Sequence, residues 1–304
     1  MEHLGHEEVK AITSLSDDEV KWWRNHLTKL RQQTVHKPAI YINKYFAESE
    51  SVDFNSQKHE VSKLIVKIRD ATWDMYIADE LKFYRQVIDF LLSSKRAPEQ
   101  ILLQMIDDNK VREIRNAQTT DEMLQIIRNI FGDFTARIFP YFYELAKSVT
   151  QSRRSRAGTA FEIIIQQLMS RFGYQYQDQQ SLGVKLFKQK GLGKIVDGIL
   201  PNIEAYERKR QNCLVVTMKT TLRERWQEVV EELQRTNVPS IHLLTLDHEI
   251  SANLLHTLET HNITLVVYKD IQEKHSKHNN IMSFENFFNI EIPHTLKYWG
   301  YENI

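Results

Sequence analysis

Between residues 17 and 149 the apolar side chains recur at three- and four-residue spacing, the period of amphipathic helices. This pattern predicts helices over 17–33, 59–69, 79–93, 120–131 and 133–149, interrupted only by Pro38, Pro98 and Pro140. Past residue 155 the character changes. Short runs rich in Val, Ile and Leu at 185–187, 195–200, 214–218, 241–246 and 263–268 alternate with helical patterns, which predicts an α/β sheet. The polar, basic run 149–155 is read as the junction, giving a helical N-terminal part, 1–150, and an α/β part, 151–304. Neither an internal repeat nor a low-complexity tract interrupts the pattern.

Three charges fall where the pattern calls for core. Glu162 sits among Phe161, Ile163, Ile164 and Ile165 in a helix pattern, 157–172, that is apolar over most of its circumference. Asp197 interrupts Ile195-Val196-Asp197-Gly198-Ile199-Leu200, and Lys219 ends the strand pattern Cys213-Leu214-Val215-Val216-Thr217-Met218. Thr220-Thr221 then forms a plausible N-cap for a helix over 222–233, on which Glu228 and Glu232 share a face. Unpaired buried charge costs several kcal/mol, so such residues are kept mainly as ion pairs or as metal ligands. Two or three carboxylates with a lysine suit metal-dependent phosphodiester hydrolysis, because hard divalent cations such as magnesium take oxygen ligands. An Asp197–Lys219 structural ion pair between adjacent strands explains the same pattern without chemistry.

Composition narrows the classes. The 304-residue chain, 41% hydrophobic and 26% charged, is that of a folded globular protein with room for one large domain or two modest ones. No apolar run reaches the length of a membrane span, and Glu2, Glu7 and Glu8 do not fit a signal peptide, so the cytoplasm is the expected location. The single cysteine, Cys213, excludes an internal disulfide and a cysteine-based zinc site. Net charge is zero, yet residues 151–225 hold 14 basic and 6 acidic side chains. This excess includes Arg153, Arg154 and Arg156, and Arg208-Lys209-Arg210. It is the electrostatic footprint expected of contact with a phosphate backbone, although a solvated positive face gives the same count.

At these residues the chain resembles the type II restriction endonucleases of the PD-(D/E)xK fold, in the EcoRII/NgoMIV-like branch that cuts CCGG, CCNGG or CCWGG sequences. The resemblance rests on Ser155-Arg156-Ala157-Gly158, Phe161-Glu162, Val196-Asp197-Gly198, Glu232 and the string from Met218 through Lys219, Thr220, Thr221, Leu222, Arg223, Glu224 and Arg225 to Trp226. It covers roughly residues 150–270 and implies a mixed central sheet flanked by helices. It further implies Asp197 as the central metal ligand and Lys219 as the catalytic lysine. Glu232 would be the second metal-binding carboxylate and Glu162 an accessory acid. Val196 replaces the proline before the aspartate, and Thr217 stands where an acid usually lies two residues before the lysine. In this branch the acid moves to the following helix, where Glu231 and Glu228 are alternatives to Glu232. Arg223, Glu224 and Arg225 match the recognition segment. The chemistry agrees, since arginine bonds guanine O6 and N7 bidentately and a carboxylate accepts from cytosine N4.

The resemblance therefore implies magnesium as cofactor, double-stranded DNA as substrate, 5′-phosphate ends with 5′ overhangs, and pairing with a DNA cytosine methyltransferase. A palindromic site calls for a homodimer, with a tetramer as the larger alternative. The helical first part would supply dimer contacts and reach flanking base pairs. Two other classes fit the charge pattern: a structure-specific repair or recombination nuclease on the same fold, and a non-catalytic DNA-binding protein. His275 and His278 lie in a polar stretch and are read as loop, and Gly191-Leu192-Gly193-Lys194 lacks the full phosphate-loop motif. Trp22, Trp23 and Trp73 are read as core or dimer-interface residues.

Overall fold

Ser16 accepts a hydrogen bond from the Glu19 N–H and opens the first helix, with Asp17, Asp18 and Glu19 complementing the positive end of its dipole. The computed structural model describes residues 11–49, 53–192, 195–223, 225–236 and 238–301. Its helices are α1 (Asp17–Thr34), α2 (Pro38–Glu48), α3 (Val61–Leu92), α4 (Ala97–Met105), α5 (Asp108–Asn116), α6 (Thr120–Arg137), α7 (Phe139–Arg171), α8 (Gln179–Leu182), α9 (Val184–Gln189), α10 (Ile203–Lys209), α11 (Arg225–Arg235), α12 (Ala252–Thr260) and α13 (Lys269–Lys274). Further helical turns follow over residues 284–298. The strands are β1 (Gln177–Asp178), β2 (Gly198–Leu200), β3 (Leu214–Lys219), β4 (Ile241–Thr245), β5 (Ile263–Val267) and β6 (Ile281–Ser283).

The chain divides into two compact units, residues 1–36 with 75–154 and residues 37–74 with 155–304. In the first, Trp23 is fully buried on α1 and donates its indole N–H to the Tyr141 carbonyl at 3.1 Å. The buried Glu80 receives Arg153 Nε at 3.0 and 3.1 Å, and Tyr76 and Tyr84 complete the cluster. The Glu80 carboxyl stays below its usual range: burial pushes it up, and the Arg153 guanidinium and tyrosine hydroxyls outweigh that.

The second unit contains one six-stranded sheet in sequence order, with β1–β2–β3 antiparallel and β3–β4–β5–β6 parallel. Helices α11, α12 and α13 are the crossovers that parallel pairing demands. Its core joins Ile42, Phe46, Ile65 and Ile68 to Phe161 and Leu168 of α7 and to the strands.

Several elements differ from the sequence pattern for identifiable reasons. Residues 149–155, expected as a junction, lie inside α7, because Arg153 is held by Glu80 and nothing in that run breaks a helix. The division into units falls four residues later, between Arg154 and Ser155. Residues 37–74 go with the sheet because their apolar faces complete its core. Residues 185–187 form part of α9 rather than a strand, a short apolar run being ambiguous between the two. Helix α11 begins at Arg225 instead of 222, so Arg223 precedes the helix. Strands β1 and β6 span two and three residues and were too short to leave a periodic signal.

Candidate active site

Strands β2 and β3 pair from Leu200–Leu214 to Gly198–Val216 and then part. The Asp197 N–H still reaches the Val216 carbonyl at 2.9 Å, but beyond it side chains replace the ladder. Asp197 Oδ2 accepts the Met218 N–H at 2.6 Å, and the Thr217 hydroxyl lies 2.7 Å from the Ile195 carbonyl and 3.3 Å from the same Oδ2. The residue that replaces the expected acid thus orients the aspartate and closes the gap between the strands. Meanwhile β3 runs on beside β4 to Lys219, whose register partner is Thr245.

Glu162 on α7 completes the cluster. Its carboxyl is pushed up to about 7, first by burial and next by the negative charge of Asp197, with Lys219 and Arg225 pulling the other way. Asp197 is also raised by burial, and Lys219, the Met218 N–H, Thr217 and Arg225 oppose that rise. The charge of Asp197 thus reaches Glu162, both groups are half-buried, and Lys219 and Arg225 act on both. The structure brings together Glu162, Asp197 and Lys219, as the sequence suggested, and adds Arg225 from the recognition string.

Glu232 is half-buried on α11, seven residues after Arg225, which places the two on one helix face about 10 Å apart along the axis. It does not join Glu162 and Asp197 in a three-carboxylate group; among the described residues no three His, Cys, Asp or Glu side chains form one. Glu228 and Glu231 are exposed on the same helix.

Between β3 and α11 the chain turns at Arg223. Leu222 is buried, its carbonyl accepts the Arg225 N–H at 2.6 Å, and Arg223 between them is exposed with φ +27°. Positive φ is costly for a residue with a Cβ, so the surrounding bonds must hold it. Leu222 and Arg223 also line a cavity of about 750 Å³ with Trp226, Asp247 and His248. Glu224 lies outside the described residues, as do Gly193 and Lys194. Arg153 is engaged by Glu80, Arg154 is exposed, and Arg156 is half-buried on α7.

Sequence reasoning passed over Tyr176. Its ring lies where a Cβ on Gly198 would sit, 2.1 Å from the phenol oxygen, so glycine is required for this packing. Burial and the charges of Asp197, Asp178 and Glu162 push the phenol well above its ordinary range and keep it neutral beside the pair. The only sequence signal was the glycine after the aspartate. His275 and His278 sit in a turn, as read. Trp23 stacks with Phe90 and Trp22 lies tilted against the same ring in the first unit, whereas Trp73 is 44% exposed. Among the described residues no helix is long and apolar enough to cross a membrane.

With this geometry established, comparison with known proteins is specific. A family model described as EcoRII C terminal matches residues 117–288. The chain is 29% identical over 263 residues to the type II restriction enzyme SsoII of Shigella sonnei, covering 86% of this chain and 78% of that protein. It is 28% identical over 156 residues to the type II restriction enzyme EcoRII of Escherichia coli, covering 50% of this chain and 35% of the larger protein. Among solved structures, metal-depleted Ecl18kI in complex with uncleaved, modified DNA is similar with a TM-score of 0.72 and 26% identity, over 94% of this chain and 86% of that one. A PspGI–substrate DNA complex matches with a TM-score of 0.58 and 18% identity, over 88% and 96% of the two chains, a likeness of fold. The mixed sheet flanked by helices, with its mostly helical N-terminal part, is thus a restriction-endonuclease fold.

Proposed function

This chain belongs to the EcoRII C-terminal family, and from that premise we propose a type II restriction endonuclease that cuts both strands of DNA at a palindromic CC…GG core with magnesium as cofactor. The observation that carries the reading is Asp197 at the end of the β2–β3 ladder, with its charge acting on the half-buried Glu162 and with Lys219 and Arg225 acting on both.

The donor set fits a hard cation. Burial and the charge of Asp197 raise Glu162, and burial raises Asp197, so even beside Lys219 and Arg225 the pair would gain from a cation, and magnesium takes one or two carboxylates with the rest of its shell from water and phosphate oxygens. Asp197 would hold it, with Glu162 adjacent; Glu232, which stands outside that pair on α11, is left out of the donor set. Bound there, magnesium would supply charge neutralisation at the scissile phosphate and a more acidic water. The protein's own part is orientation and charge. Met218 N–H and Thr217 fix the Asp197 carboxylate, and Lys219 Nζ stabilises the charge that develops on the phosphate. Arg223, Glu224 and Arg225 would read the guanines and cytosines, and Arg154 and Arg156 would meet the backbone. The twofold symmetry of a palindrome calls for a homodimer, each protomer cutting one strand. Residues 1–150 would supply dimer contacts and reach flanking bases.

The test is digestion of phage DNA with and without magnesium, followed by sequencing of fragment ends. Ends sharing a CC…GG core with 5′-phosphates are expected, and Asp197→Ala and Lys219→Ala should abolish cutting while DNA binding persists. Ends without a common sequence would point to a structure-specific nuclease; binding without cutting would point to a non-catalytic protein.

A further inference from the structure

We propose that Asp247 is a positioning residue for sequence reading: its carboxylate holds the turn that presents Arg223. The inference rests on the reading of Arg223 as a base-contacting residue. The geometry begins where β3 and β4 end. Lys219 pairs with Thr245, and beyond that pair the two chains are joined by a side chain. Asp247 Oδ2, two residues past Thr245, accepts the Leu222 N–H at 2.9 Å.

Both backbone polar groups of Leu222 are therefore bound, the N–H by Asp247 and the carbonyl by the Arg225 N–H, while its side chain is buried. Arg223 follows at φ +27°, a conformation that a residue with a Cβ keeps only when its neighbours are fixed. Asp247 is itself fixed: its N–H donates to Thr245 Oγ1 at 3.2 Å, and Oδ1 accepts from the Glu249 N–H at 3.3 Å. Thr245 is fully buried. A chain of bonds thus runs from the buried end of β4 to the turn carrying Arg223. Bidentate reading of a guanine edge tolerates little angular error, so releasing Leu222 should blur discrimination more than it harms the fold.

The variants separate these effects. Asp247→Ser is too short to reach Leu222, yet its hydroxyl can still accept from the local turn; Asp247→Asn keeps one acceptor oxygen of the original reach, which the part-buried Leu222 N–H takes at the shorter distance while the exposed Glu249 N–H turns to water. The assay compares cleavage of duplexes carrying a CC…GG core with the same duplexes altered at one G·C pair, alongside thermal unfolding of each full-length variant. Asp247→Ser should lower the cognate-to-altered ratio about tenfold or more with an unchanged melting profile, and Asp247→Asn should restore it. Wild-type discrimination in Asp247→Ser, with Arg223→Ala impaired, overturns the proposal and leaves the recognition reading standing. Unimpaired discrimination in Arg223→Ala would instead remove the reading on which it rests. Should Asp247→Ser lose its cooperative melt, Asp247→Asn decides alone: it must discriminate as wild type, and its failure to do so in a folded protein overturns the proposal.

Discussion

Replacing Glu162 by glutamine removes a carboxylate raised by burial and by the charge of Asp197 and should stabilise the metal-free protein, increasingly so as pH rises above the ordinary carboxylate value. In the folded chain burial and Asp197 raise the Glu162 carboxyl to about 7, against an ordinary value near 4.5. Between those values the native state keeps a proton that the unfolded state has released, so stability falls as pH rises through this window and the full cost applies above it. A shift of this size corresponds to about 3 kcal/mol at full strength. Solvent screening at a half-buried site brings it to about 1–2 kcal/mol. For a chain of this length that is a midpoint difference of about 2–8 °C. The assay is thermal unfolding of wild type and Glu162→Gln at pH 5 and pH 8, in chelator and then in magnesium. At pH 8 in chelator the variant should melt higher; at pH 5 the two should nearly coincide. Magnesium should raise the wild-type midpoint at pH 8 and the variant's less, because the cation relieves repulsion that the variant no longer has. A variant advantage of equal size at both pH values would refute the reasoning, since it would owe nothing to ionisation.

Thr217→Val keeps the shape of a fully buried side chain and deletes the hydroxyl beside Asp197 and the Ile195 carbonyl; single-turnover cleavage should slow about tenfold while metal-free DNA binding is retained. His242, buried on β4, is lowered by burial to about 4 and stays neutral, so its approach to Glu291 at 3.8 Å is no ion pair near neutrality. Stability worth about 3 kcal/mol should be lost as pH falls from 6.5 toward 4, and His242→Leu should lack that slope in acid titrations followed by circular dichroism. On α6, Leu124, Ile127 and Phe131 present an exposed apolar row in the helical part proposed to carry dimer contacts. Ile127→Glu should shift the protein toward monomers in sedimentation velocity, and an unchanged association state would move the dimer interface elsewhere.

How much of this was legible depended on length and on neighbours. Elements with a steady period, such as α1 and the core strands β3 to β5, could be read from spacing because each buries one face or both. The site charges were legible for the opposite reason: Glu162, Asp197 and Lys219 break an apolar pattern that ordinary packing would not break. What could not be read was whatever depended on distant partners. Glu80 keeps Arg153 inside a continuous helix, and no local pattern announces a carboxylate 73 positions earlier. The packing of Tyr176 on Gly198 and the hold of Asp247 on Leu222 are likewise made by tertiary contact, the latter across 25 positions.

Under the proposed function, the same contacts would couple reading to cutting through β3. At one edge of the strand, Asp197 bonds the Met218 N–H and thereby sets the carboxylate against the backbone of the residue before Lys219. On the other side β4 pairs with Lys219 and, through Asp247, with Leu222. A displacement of the turn that carries Arg223 must pass through Leu222 and the three residues between it and Met218 before it reaches the aspartate. Asp197 on one side and Asp247 on the other hold the two ends of that short segment. Wrong DNA that fails to seat Arg223 would therefore strain the backbone that orients Lys219, a coupling made of covalent geometry and two hydrogen bonds. It follows that loosening either end should lower the rate on the correct site and the discrimination against the wrong one in different proportions: Thr217→Val chiefly the rate, Asp247→Ser chiefly the discrimination.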